Sequence, residues 1–226
     1  MKKEKLRMIL KSQGQKYSEA LNIDVSRGEN EIFKWFLASL LFGAPISETL
    51  AIRTYRCFEK HGLLTPEKML KAGWDSLVAI LDEGGYTRYD YKTADKIMMV
   101  MKNLVATYSG RLESIHFQAS DLSDLEEKLK GLGKGIGDVT VNVFLRELRG
   151  VWAKARPRPT GLEILAAEEL GILKRGVSAE EAKQILEAFW KENHVSGYSF
   201  INFETALLRI GKKLRKKRER KDHSSN

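Results

Sequence analysis

Residues 31–42, EIFKWFLASLLF, constrain the fold more than any other stretch of the chain. A helix this apolar leaves almost no side fit for water, so it has to be buried among other elements. The rest of the sequence offers helices to bury it. SETLAIRTYRCFEKHG (47–62) has Ser47 as a candidate N-cap and Gly62 as a stop. TPEKMLKAG (65–73) puts Thr65 before Pro66, the order expected of a cap and a first helical residue. WDSLVAILDEGG (74–85) ends on paired glycines. YKTADKIMMVMKNLVATYSG (91–110) spaces Ile97, Met98, Met101, Leu104 and Val105 as one apolar face, where the methionines serve as core filler.

The second half continues the pattern. DLSDLEEKLKGLG (121–133) carries Ser123 three residues before Glu126, a capping-box signal. GDVTVNVFLREL (137–148) is β-branched, but a glycine turn precedes it and Val139, Val143, Phe144 and Leu148 share a helical face, so it reads as a helix. After the loop RGVWAKARPRPT (149–160) come helical segments at 161–171, 178–193 and 199–220, with Thr160 and Ser178 as caps of the first two. No strand pair with hairpin signals stands out. The spacing predicts an all-α chain of nine to eleven helices, and 226 residues suffice for one large domain or two lobes.

Composition narrows the function classes. Cys57 is the single cysteine, which excludes an internal disulfide and a cysteine-held cluster within one chain. His61, His116, His194 and His223 lack ligand spacing, so neither metal nor cofactor is expected. No stretch has membrane-span length, and the basic start has no long apolar region of the secretory kind. The expectation is an intracellular, cytoplasmic monomer without a membrane partner, nucleoid-associated in a prokaryote.

The net charge of +9 is unevenly placed: 211–221 carry +7, 130–158 carry +5, and the remainder sums to −3. Such blocks attract polyanions. The first of them, GKKLRKKRERK, is expected to add affinity without reading sequence.

The second block opens on LKGLGKGIGDVT (129–140), with glycines at alternate positions. It lacks the Lys-Ser/Thr of a Walker loop, and a dinucleotide pattern begun at Gly131 fails at Ile136. A helix-turn-helix fits better. Leu129 and Leu132 would pack its inside, Gly131 and Gly133 would expose amides, and a second helix would start between Gly135 and Asp138. Free amides at a helix start, flanked by Lys130 and Lys134, suit an anion.

LKGLGKGIGDVTVNVFLREL resembles the helix-hairpin-helix of the endonuclease III-like base-excision DNA glycosylases, which read approximately Leu-Pro-Gly-Val-Gly-x-Lys-Thr-Ala. FKWFLASLLFGAPISETLAIRTYRCF, the segment from PEKMLKAGWD to YSG, PTGLEILAAEELGIL and FETALLRIGKKL resemble further pieces of that family in the same order, over roughly residues 31–212. The resemblance implies two helical lobes with DNA across the cleft between them. The lobes would be 31–149, with six helices and the hairpin, and 1–30 plus 150–212, followed by a partly disordered basic tail at 213–226.

The resemblance also implies sites. Duplex DNA, damaged or not, would be held by Lys130, Gly131, Leu132, Gly133, Lys134 and Gly135 of the hairpin and by Lys154, Arg156 and Arg158 of the loop. The family's lysine nucleophile aligns with Gly135 and its aspartate with Pro159, and its cysteine cluster loop is replaced by the basic tail. The substitutes for the missing catalytic groups are Glu163, Asp138 and Lys134. Tyr86, Tyr89, Tyr91 and Trp152 are candidate walls for an extruded base. The implied function is DNA binding of the base-excision type with doubtful catalysis. The alternatives are a monofunctional glycosylase for an alkylated base and an RNA-associated or structural basic module.

Overall fold

The computed structural model describes residues 3–224, with side chains through residue 220. Among these residues it is helical with no strand, and its elements are α1 (Lys3–Gln13), α2 (Tyr17–Ala20), a 3-10 turn (Val25–Arg27), α3 (Glu29–Phe42), α4 (Glu48–Lys60), α5 (Pro66–Glu83) and α6 (Asp90–Tyr108). They continue with α7 (Leu112–Gln118), α8 (Leu122–Lys130), α9 (Asp138–Glu147), α10 (Gly161–Glu169), α11 (Ala179–Asn193) and α12 (Phe200–Ser224). The all-α class is therefore observed. The helix number exceeds the expected nine to eleven because α1, α2 and α7 lie outside the expected segments, α2 and α7, of four and seven residues, being too short to show a period. Within α5 the backbone leaves helical geometry at Gly73 (φ 81°, ψ 173°), so the two segments expected there share one element across a kink.

Caps follow the sequence at Ser47, Thr65, Thr160 and Ser178, whose hydroxyls accept from Leu50, Lys68, Glu163 and Glu181 amides. At α8 the expectation is corrected. Asp121, not Ser123, accepts from the Asp124 amide at 3.0 Å, and Asp124 reaches back to the Ser120 amide at 2.8 Å. The helix thus starts two residues earlier than expected, with Leu125 and Leu129 buried.

The chain divides into two compact units, Ser18–Arg156 and Met1–Tyr17 with Pro157–Asn226. These boundaries differ from those expected. Residues 18–30 go with the larger unit because the Ser18 amide donates to the buried Glu147 carboxylate at 3.0 Å and the 3-10 turn packs on α3. Residues 150–156 go with it because Trp152 stacks on His116 (4.9 Å, 8°) and meets Phe144 edge-on.

In the larger unit α3 is the spine. Ten of its residues from Ile32 to Phe42 are buried, each large apolar side chain contributing roughly 1.5–3 kcal/mol. Trp35 Nε1 donates to the Phe144 carbonyl at 3.0 Å, and Phe36 packs edge-on to Phe144 at 5.1 Å, so α9 is fixed against α3. α5 pairs with α6, and α8 with α9.

The smaller unit packs α12 on α10 and α1. Its core joins Leu6, Leu10, Ala166, Leu186 and Phe203. Phe189 and Trp190 stack on Phe203, and Asn202 Nδ2 donates to the Gly14 carbonyl at 2.8 Å. The tail expected to be partly disordered is corrected for the described residues: α12 continues as helix to Ser224, and residues 225–226 lie outside the described residues.

Candidate nucleic-acid interface

Residues 131–137 form the tight turn between α8 and α9. Leu129 and Leu132 are buried inside it, as the pattern requires. The turn is seated on α6. Asn103 Nδ2 donates to the Leu132 carbonyl at 2.9 Å, and Gly133 lies so close to Val100 that an added Cβ would meet Val100 Cγ2 at 2.8 Å. Gly135 takes φ +91°, a conformation L side chains rarely adopt, with the stem of Lys96 beside it.

Of the amides expected to be free, those of Gly131 and Gly133 are bonded, while those at the start of α9 are open. Gly131 N–H donates to the Glu127 carbonyl at 2.8 Å and Gly133 N–H to the Lys130 carbonyl at 3.3 Å. Both are consumed by the end of α8, because a helix C-terminus needs donors for its last carbonyls. Leu132 and Gly133 are also buried, so they are corrected as direct contacts. The free donors come later. Among the described residues, no protein acceptor meets the amides of Lys134, Gly135, Gly137, Asp138 and Val139. All five residues are exposed, and Gly137 caps α9 without a side-chain hydrogen bond. A run of open donors at a helix start is an anion-favouring arrangement.

The flanking charges are arranged unequally. Lys130 forms an ion pair with Asp138 across the turn, and this bond raises its pKa. Asp138 is 88% exposed, a first-turn carboxylate favoured by the helix dipole and aimed at Lys130 rather than into a pocket. Lys134 is exposed at the tip. Lys96, absent from the sequence-based site, completes the group. Its Cδ would lie 3.2 Å from a Cβ on Gly135, its Nζ reaches the Leu40 carbonyl at 3.4 Å, and burial lowers its pKa.

The loop residues separate. Lys154 is half-buried and donates to the His116 carbonyl at 2.7 Å, and Arg158 pairs with Glu180 at 2.8 Å. Each has its partner within its own unit. Arg156 is exposed. Pro159 is buried. Glu163 is buried and spent on the α10 capping box, where its carboxylate accepts the Thr160 amide at 2.6 Å and hydroxyl at 2.7 Å. A carboxylate held this way supports the helix start, so Glu163 is corrected as a catalytic candidate.

The four aromatic residues expected as base-pocket walls also separate. Tyr86 and Trp152 are core, while Tyr89 and Tyr91 are exposed, Tyr91 stacked on Trp74 at 5.4 Å. A cavity of about 320 Å³ in the larger unit is lined by Glu29, Phe33, Thr65, Glu67 and Arg111 among others, and by no hairpin residue. Its Glu29 accepts the Leu112 and Glu113 amides at 2.6 and 2.9 Å and so caps α7. Compared with known proteins, the chain matches no family model, no curated protein and no solved structure.

Proposed function

We propose that this chain is a DNA-binding protein of the helix-hairpin-helix base-excision glycosylase type, which grips duplex phosphates without excising a base. The observation that carries the reading is the set of exposed residues with open amides, Lys134, Gly135, Gly137, Asp138 and Val139, flanked by Lys130 and Lys134. Backbone donors and lysines hold phosphate oxygens and carry no base information, so the binding is sequence-independent. The family's catalytic lysine and aspartate positions hold Gly135 and Pro159 here, and Glu163 and Asp138 are engaged in a cap and an ion pair. That set suits holding a strand, but it puts glycine where the family has its lysine nucleophile and commits the Glu163 carboxylate, beyond Pro159, to a helix cap.

Fluorescence anisotropy with a labelled duplex tests the reading. For about three phosphates neutralised by the hairpin, affinity of the chain truncated after Gly211 falls roughly 40-fold between 50 and 200 mM salt. Affinity flat over that range contradicts it. Alkali cleavage after incubation with alkylated, oxidised and deaminated duplexes should show no protein-dependent abasic sites. Their appearance with an alkylated duplex would establish the monofunctional glycosylase instead.

A further inference from the structure

The C-terminal part of α12 is a second charged element, in the unit that does not carry the hairpin. Residues 212–220 hold seven Lys or Arg and one acid, Glu219. Lys213 and all of 215–220 are exposed, and Leu214 is the single large apolar residue in this run. Successive residues on a helix turn by about 100°. Lys216, Lys217 and Arg218 therefore point to three sides, with Arg220 and Arg215, the latter paired with Glu219 at 3.6 Å, in the directions between, while Lys213 donates to Gln13 Oε1 at 2.8 Å. The positive charge encircles the helix.

That distribution selects among polyanions. A membrane surface needs an apolar face opposite a charged one, and this segment has none. An acidic protein surface meets a helix from one side and leaves the other cations facing water. A groove walled by two phosphate strands offers anions on both flanks. The B-DNA major groove is about 12 Å wide, matching a helix of 10–12 Å, whereas the major groove of duplex RNA is too narrow to admit one. We propose that residues 212–220 of α12 lie in the major groove of B-form DNA as a contact separate from the hairpin. The inference shares its partner with the proposed function but stands on different residues.

The test compares the full chain, a truncation after Gly211, and the single variants Lys216→Gln, Lys217→Gln and Arg218→Gln, which keep the helix. If about four of these cations meet phosphates, truncation flattens the salt dependence by about 3.6 in slope, equal to roughly 150-fold between 50 and 200 mM salt. The three single variants should weaken duplex binding to similar degrees, and methyl green in the major groove should compete where netropsin in the minor groove does not. Loss confined to one variant means a one-sided contact and overturns the groove assignment. So does equal affinity for duplex RNA or for phosphatidylserine vesicles. Asp138→Pro at the hairpin leaves the truncation's effect on the slope unchanged, so failure of either element is read separately.

Discussion

Asp138 allows one amide of the hairpin to be removed with little other change. It is the first residue of α9, where proline is favoured, and its N–H donates to no acceptor of the protein among the described residues. The preceding Gly137 is extended (φ −108°, ψ −177°), compatible with a following proline. Asp138→Ala removes the carboxylate and keeps the amide, while Asp138→Pro removes both. Each loses the ion pair with Lys130 and the carboxylate's dipole contribution, about 1 kcal/mol of stability in total. Binding should diverge. Asp138→Ala frees Lys130 and removes a negative charge beside the phosphate, so it should bind duplex DNA several-fold more tightly than the parent. Asp138→Pro lacks an amide bond to a charged acceptor, about 1.5–3 kcal/mol. It should bind about ten- to a hundredfold more weakly than Asp138→Ala, by anisotropy at fixed salt. Equal affinities of the two variants, with matching circular dichroism, would refute the assignment of the open amides to phosphate.

Other substitutions separate structural from functional roles. Glu163→Gln keeps a capping-box side chain and should leave thermal stability and duplex binding nearly unchanged, whereas Glu163→Ala should cost about 1 kcal/mol, read as a lower melting temperature. Gly211→Ala puts a Cβ 2.0 Å from the Leu162 carbonyl oxygen, backbone that cannot turn aside, so α10 and α12 must separate and urea unfolding should report a loss of about 3 kcal/mol. Lys96, its pKa lowered by burial, is more easily deprotonated folded than unfolded. The unfolded chain then holds the extra proton, so the parent gains stability as pH rises from that lowered pKa towards 10.5. Other groups titrate in the same range, so the Lys96 contribution is read as a difference: across alkaline pH the urea midpoint of the parent should gain on that of Lys96→Met, which should also bind duplex more weakly.

The helices were legible because their signals are local. Thr160 and Glu163, or Ser178 and Glu181, sit three residues apart and need nothing distant to form a capping box. The buried α3 and the turn at Gly131 to Gly137 follow from composition and glycine spacing in the same way. What escaped depends on contacts remote in sequence. Lys96 comes beside Gly135 through the packing of α6 under the turn, and Lys154 is taken up by a carbonyl on α7. Residues 149–160 read as a loop by their prolines and charges, yet Trp152 anchors the first part of it on His116. Gly131 and Gly133 offer no open amide because the α8 carbonyls claim the first donors of the turn, a demand visible only once the end of α8 is fixed.

The most direct measurement is amide-resolved NMR of the ¹⁵N-labelled chain titrated with a short duplex. The amides of Lys134, Gly135, Gly137, Asp138 and Val139 should move first and furthest, downfield as they gain an acceptor, while those of Gly131 and Gly133, already bonded within the turn, move little. Binding that leaves those five resonances in place while shifting others would contradict a phosphate-holding hairpin.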